Sequence, residues 1–147
     1  MDTAQGFQDI QTGSIRVSQV RTARPVDMKN LYLAGDWWEE GWDEEYLSAV
    51  VHSGFAFVAA KDLDGTWVGM GRLISDGVSD AYLQDIVVLP EYRGKGVGTA
   101  IVTCLLEICK DHGIGWVGTI AGPEAAFFYR RFGFAKMNGY TPMRYEP

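Results

Sequence analysis

Arg93-Gly94-Lys95-Gly96-Val97-Gly98 places three glycines at every second position, with two cations among them. Ahead of it stands an apolar, β-branched run, Ile86-Val87-Val88, which Pro90 stops because proline donates no ladder hydrogen bond. Behind it Val97, Ile101, Cys104, Leu105 and Ile108 recur at helical spacing. The glycines therefore lie between a buried strand and a helix N-terminus, where unpaired N–H groups and the positive end of the dipole face outward. Glycine allows a ligand close to the backbone, and Arg93 and Lys95 add donors for a polyanion. Phosphate or pyrophosphate binding is the chemistry this arrangement suits.

The spacing excludes two common phosphate loops. The G-x-x-x-x-G-K-[ST] pattern is absent, and a G-x-G-x-x-G reading would need glycine at Thr99 or Ile101. A glycine-rich turn without a ligand is the plainer alternative. Three glycines in a helix's first turn would then cost about 1 kcal/mol each against alanine with nothing in return.

Arg93 to Gly98 resembles the Q/R-x-x-G-x-G/A acyl-CoA loop of the GNAT superfamily of N-acetyltransferases. Asp85-Ile86-Val87-Val88 resembles that family's fourth strand, and Phe127-Phe128-Tyr129-Arg130-Arg131-Phe132-Gly133-Phe134 its late F-Y-x-x-x-G-F segment. The resemblance is sharp from Ala81 to Phe134. It implies acetyl-CoA as cofactor, with no metal. The cofactor would be held by the backbone of Ile86, Val87 and Val88, by Arg93, Gly94, Lys95, Gly96, Val97, Gly98 and Thr99, and by Phe128 and Tyr129. It also implies Tyr129 as the general acid that protonates the departing thiolate. Asp85 resembles the acidic residue of E-D-I-A-V in glucosamine-6-phosphate N-acetyltransferases, which implies that it orients the amine or passes its proton through water. A satisfied structural carboxylate is the alternative.

Transfer from a thioester needs a neutral amine, a donor for the oxyanion and a proton for the thiolate. It needs no covalent enzyme intermediate, and no Ser/His/Asp arrangement is visible. In period-two alternation Gln84 and Asp85 point to opposite faces of their strand, and both are candidate acceptor contacts. A second candidate acceptor surface is Gly35 to Glu45, with three of the five tryptophans among six acids. Trp37, Trp38 and Glu40 would suit a cationic amine; the alternative is a helix–helix connection with partly buried indoles, in which Asp43 caps the next helix.

The elements that must position these residues read β-α-α-β-β-β-α-β-α-β-β. They comprise a strand at Ser14–Arg21, two helices around Met28–Tyr32 and Tyr46–Ser53, and three hairpin-linked strands at Phe55–Ala60, Trp67–Ser75 and the motif strand. The Val97–Asp111 helix, a strand at Trp116–Ile120 and a helix opening at Pro123 follow. A final hairpin is expected at Phe134–Met137 and Tyr140–Tyr145 around Asn138-Gly139, and residues 1–13 read as a loose or extended tail. Gly69 and Gly71 suggest close backbone approach or a bulge. The expected class is α+β (mixed α/β). The GNAT resemblance supplies the packing: a central, mostly antiparallel mixed sheet with helices on both faces, splayed between strands 4 and 5.

At 147 residues, 47% of them hydrophobic, the chain reads as a single domain spanning 1–147. A net charge of −6 argues against general nucleic-acid binding. No apolar run is long enough to span a bilayer and no signal-peptide core is visible, so the expectation is a cytoplasmic protein without membrane contact. Cys104 and Cys109 read as buried structural residues, and no Cys/His cluster has zinc spacing. The leading function is acetyl transfer from acetyl-CoA to a primary amine of a small molecule. Peptide or protein N-acetylation and a non-catalytic acyl-CoA sensor are the alternatives, and a homodimer is left open.

Overall fold

The computed structural model describes residues 8–147. Six strands form one sheet in sequence order: β1 (Ile10–Thr12), β2 (Ile15–Val20), β3 (Ala56–Lys61), β4 (Trp67–Ser75), β5 (Asp80–Val88) and β6 (Trp116–Thr119). The first five pair antiparallel, and β6 joins β5 in parallel across a helical crossover. Helices α1 (Pro25–Ala34) and α2 (Glu44–Ser53) cover one face, while α3 (Val97–Asp111) and the short α4 (Ala126–Arg130) cover the other.

Each face has its own core. Met28, Leu31 and Tyr32 of α1 and Leu47 and Val51 of α2 pack on Phe57, Met70 and Val87. Ile101, Cys104, Leu105 and Ile108 of α3 pack on Val17, Val58, Leu73 and Leu83. Both cysteines are buried and free. α3 lies directly on the β4 glycines: a Cβ at Gly69 would come to 2.9 Å from Ile101 Cδ1, and one at Gly71 to 2.9 Å from Ile101 Cγ2. This is the close approach expected of them. Pro25 opens α1, and Asp43 caps α2 by accepting from the Glu45 N–H at 3.0 Å. Among the described residues, no helix is long and apolar enough to cross a membrane.

Three expectations need correction. Part of the segment read as a loose or extended tail is a paired strand, since Gly13, at φ 56°, turns Ile10–Thr12 back onto Ile15–Val17; the same reading over 1–7 lies outside the described residues. The last helix opens at Ala126 rather than Pro123, because Glu124 sits at φ 69° in the left-handed region, where a helix cannot start. The C-terminal hairpin is absent. Gly139 makes its turn, with Tyr140 N–H on the Met137 carbonyl at 3.3 Å, yet no strand forms over 134–147. Tyr140, Met143 and Tyr145 are exposed there, so no apolar face is buried that would fix a register.

Candidate active site

β5 and β6 pair from Asp80 opposite Trp116 to Leu83 opposite Thr119, and there the pairing ends. β5 continues to Val88, held by β4 on its other side. From Gln84 onward it thus has one paired edge and one edge that β6 leaves open, which is the splay expected between the fourth and fifth strands of the sequence reading.

A β-bulge stands at the opening. Met70 faces Val87 and Arg72 faces Gln84, so Gly71 alone is opposed by Asp85 and Ile86. Asp85 takes φ 57° to make this turn. The inserted residue reverses side-chain alternation: Ala81 and Leu83 enter the α3 core, whereas Val87 enters the α1/α2 core and Ile86 and Val88 turn toward α3. Gln84 and Asp85 therefore do not point to opposite faces. Both reach Arg72, whose Nε donates to Asp85 Oδ2 at 2.7 Å and whose Nη2 lies 3.5 Å from Gln84 Oε1. Tyr32 donates to the same Oδ2 at 2.7 Å. Burial, and then the adjacent Asp85 charge, push the Tyr32 phenol well above its ordinary value, so it stays a donor.

The glycine loop follows a 3₁₀ turn at Pro90–Tyr92. Gly94 and Gly96 take φ 74° and 82°, the left-handed values that glycine adopts at low cost. Gly96 is the N-cap of α3, and no side chain caps that terminus. A Cβ at Gly94 would meet nothing within 4 Å, so the loop surface is open to a ligand. Arg93 Nε donates to the Val88 carbonyl at 2.9 Å and ties the loop to the end of β5. Lys95 Nζ lies 5.7 Å from the Tyr92 ring centre. Phe128 packs where a Gly98 Cβ would come to 3.4 Å from its ring. Arg131, which enters the sequence reading only as part of the Phe127–Phe134 segment, stacks on Phe128 at 5.1 Å and brings Nη1 to 3.5 Å from Thr99 Oγ1. It is a third cation at the start of α3.

Tyr129 is buried where the strands part. Its neighbour in the cleft, Thr119, donates to the Leu83 carbonyl at 3.1 Å. Burial raises the Tyr129 phenol above its ordinary value, and the polar Thr119 side chain nearby opposes that in part. Of its aromatic neighbours, Phe127 is exposed and Phe128 turns to the loop. Thr119 and Tyr129 help line a cleft of about 1060 Å³ beside β6, with Tyr82, Phe134 and Tyr140. Thr119 escaped the sequence reading, because a threonine in a short strand carries no signal until its partners are known.

On the opposite face the tryptophan segment folds over α1 and α2. Trp37 and Trp42 meet Tyr32 edge-on at 6.1 and 6.2 Å, and Trp38 meets Trp42 at 5.7 Å. Lys29 Nζ sits 5.0 Å from the Trp38 ring centre and 3.4 Å from Glu44 Oε1, while Glu40 is exposed. Tyr46 packs on Trp42 at 5.9 Å and, with Arg72, lines a hollow of about 390 Å³. Tyr32 joins the two regions, since its ring touches the indoles and its hydroxyl holds Asp85. Among the described residues, no group of three or more His, Cys, Asp or Glu side chains is placed to hold a metal ion.

Known proteins share this architecture. Residues 19–134 match the family model described as Acetyltransferase (GNAT) family. The chain is 36% identical over 88 residues to GCN5-related N-acetyltransferase 2, chloroplastic, of Arabidopsis thaliana, covering 59% of this chain and 34% of that protein. It is 32% identical over 95 residues to Serotonin N-acetyltransferase 2, chloroplastic, of Oryza sativa subsp. japonica, covering 63% of this chain and 48% of that protein. The chain thus spans half or less of the length of these curated relatives. A solved structure from meticillin-resistant Staphylococcus aureus, titled a probable acetyltransferase, superposes with a TM-score of 0.78 at 23% identity over 90% of this chain and 98% of its own. With the family model covering most of its length, the chain belongs to the GNAT family of acetyltransferases.

Proposed function

We propose that the chain transfers an acetyl group from acetyl-CoA to a primary amine of a small molecule, by direct attack within a ternary complex. The observation that carries this reading is the end of β5–β6 pairing at Leu83 and Thr119, with Tyr129 buried beside Thr119 in the cleft at the opening. The loop fits the donor's pyrophosphate: Gly94 and Gly96 open the backbone, the α3 N-terminus lacks a side-chain cap, and Arg93, Lys95 and Arg131 supply positive charge. The donor brings a thioester, an acyl group already activated toward amines. The backbone of Ile86, Val87 and Val88 would hold the acyl arm, with an N–H near Val87 or Val88 on the carbonyl oxygen. The C–N bond forms as the C–S bond breaks, the amine loses its proton to water, and the Tyr129 hydroxyl gives its proton to the departing sulfur.

The acceptor side favours a cation that sheds its proton on entry. Trp37 lies beside Tyr32, Trp38 connects to it through Trp42, Glu40 is exposed in the same segment, and the net charge of −6 attracts ammonium compounds. The rice relative is named for an aromatic monoamine, which supports the small-amine class. Initial rates with donor and amine both varied, and the product weighed by mass spectrometry, test the proposal. It requires an amine heavier by one acetyl group and intersecting double-reciprocal lines; parallel lines would indicate a covalent acyl-enzyme and contradict direct attack.

A further inference from the structure

We infer that Tyr32, Arg72 and Asp85 act as one positioning unit: their hydrogen bonds hold the left-handed bulge at Asp85–Ile86 and thereby set the backbone of Ile86–Val88 at the open edge of β5. The inference rests on the reading that this edge receives the acyl donor, but its structural half is testable without any reaction.

The bulge is gripped from both faces of the sheet. On the α3 face Ile86 folds into the space that Gly71 leaves empty; a Cβ at Gly71 would come to 2.5 Å from Ile86 Cδ1 and 2.9 Å from Ile101 Cγ2. On the other face Asp85 Oδ2 accepts from Tyr32 and from Arg72, each at 2.7 Å. These donors come from α1 and β4, 53 and 13 residues away in sequence, so the kink is fixed by tertiary contacts rather than by local preference. A non-glycine residue at φ 57° persists only where its surroundings hold it there. Release of this grip would let β5 return to regular alternation, turning Val87 out of the α1/α2 core and re-aiming the N–H groups beyond Leu83. Both donors converge on one carboxylate oxygen, and the arginine charge compensates it. Asp85 then serves the reaction through the backbone it holds, as a positioning residue, not as the acceptor of the amine's proton.

The two roles separate at asparagine. Asn tolerates the left-handed region and its carbonyl oxygen accepts from Tyr32 and Arg72, yet it cannot take a proton. Asp85→Asn, Asp85→Leu and Tyr32→Phe are compared by amide hydrogen exchange resolved at Ile86–Val88. The expectation is protection within about threefold of wild type in Asp85→Asn, at least about tenfold lower in Asp85→Leu, and about three- to tenfold lower in Tyr32→Phe, with Ile101–Leu105 unchanged throughout. Should Asp85→Leu fail to fold, Tyr32→Phe decides alone. Undiminished protection at Ile86–Val88 in the folded variants overturns the inference, and it does so whether or not the protein acetylates anything. In the transfer assay, Asp85→Asn should lower turnover no more than about threefold and keep the wild-type pH profile. A loss beyond about a hundredfold, with the acid limb of that profile abolished, overturns the positioning role in favour of proton transfer. Absence of transfer in the wild type would count against the proposed function alone.

Discussion

Thr119 faces Leu83 in the last rung between β5 and β6, and its hydroxyl donates to the Leu83 carbonyl at 3.1 Å. Tyr129 lies beside that threonine in the same cleft. One threonine thus marks where the strands separate, and the phenol stands next to it. The phenol is raised above its ordinary value, so it is protonated throughout the neutral range, as a general acid must be.

Tyr129→Phe should lower turnover by roughly ten- to a thousandfold, since a thiolate near pKa 8.5 can leave without full assistance. CoA affinity, measured by calorimetry, should change little because a single hydroxyl is lost. Thr119→Val keeps the β-branched shape and removes the hydroxyl beside Tyr129; a fall of about three- to tenfold is expected. In the double variant the two effects should not add, because both act through one proton donor. Wild-type turnover in folded Tyr129→Phe, with product release shown not to limit the rate, would rule out the acid role.

Gly96 combines φ 82° with the N-cap position of α3. Gly96→Val should weaken CoA binding at least about tenfold, through left-handed strain and through bulk where phosphate must approach. Gly96→Asn separates the two causes. It tolerates the backbone angle but still places a side chain in the path, so it should melt near the wild type and still bind CoA several-fold more weakly. Undiminished affinity in both variants would remove the loop from the donor site.

Trp38→Ala or Glu40→Gln should raise the acceptor's KM several-fold and leave CoA affinity unaltered, if the segment contacts the acceptor. Trp38 connects through Trp42 and Tyr32 to Asp85, so a purely structural role would instead appear as lost thermal stability without a KM change. Steady-state kinetics alongside melting curves distinguish the two outcomes.

Alkaline pH should destabilise the fold in a defined window. Burial raises the thiols of Cys104, pushed up to about 12, and Cys109, and the phenols of Tyr32 and Tyr129. The unfolded chain releases these protons at ordinary values, 9.0 for cysteine and 10.0 for tyrosine, while the folded chain retains them. Folded values above unfolded ones mean that the contribution is fully present below about pH 9 and is lost as pH climbs through the folded values. Urea midpoints should be flat from pH 7 to about 8.5 and fall beyond about 9, less steeply in Tyr32→Phe. A midpoint constant to pH 11 would contradict this assignment of buried neutral groups.

Local signals were readable from the sequence, and their partners were not. The α3 period, the Asp43 cap and the Gly94–Gly98 spacing each follow from residues close in the chain, and the structure has them where expected. The bulge at Asp85 is different. Period-two reasoning assigns Gln84 and Asp85 to opposite faces, and nothing near them in sequence announces an inserted residue. Gly71 on the facing strand does, once Ile86 is known to fill its place. Tyr32 and Arg72 were invisible as partners for the same reason, being distant in sequence. The C-terminal turn at Gly139 formed as its Asn-Gly pair suggests, but turn chemistry alone does not pair strands whose side chains remain exposed.

Thiol release from acetyl-CoA by the purified protein, across a panel of aryl-alkyl amines, alkyl diamines, amino sugars and short peptides, tests acetyl transfer most directly. Release should depend on a small primary amine, saturate in that amine, and vanish when the amine is replaced by its N-acetylated form. Release with peptides alone would contradict the small-molecule assignment. No amine-dependent release from any member of the panel, by a protein that binds CoA in calorimetry, would contradict catalysis itself.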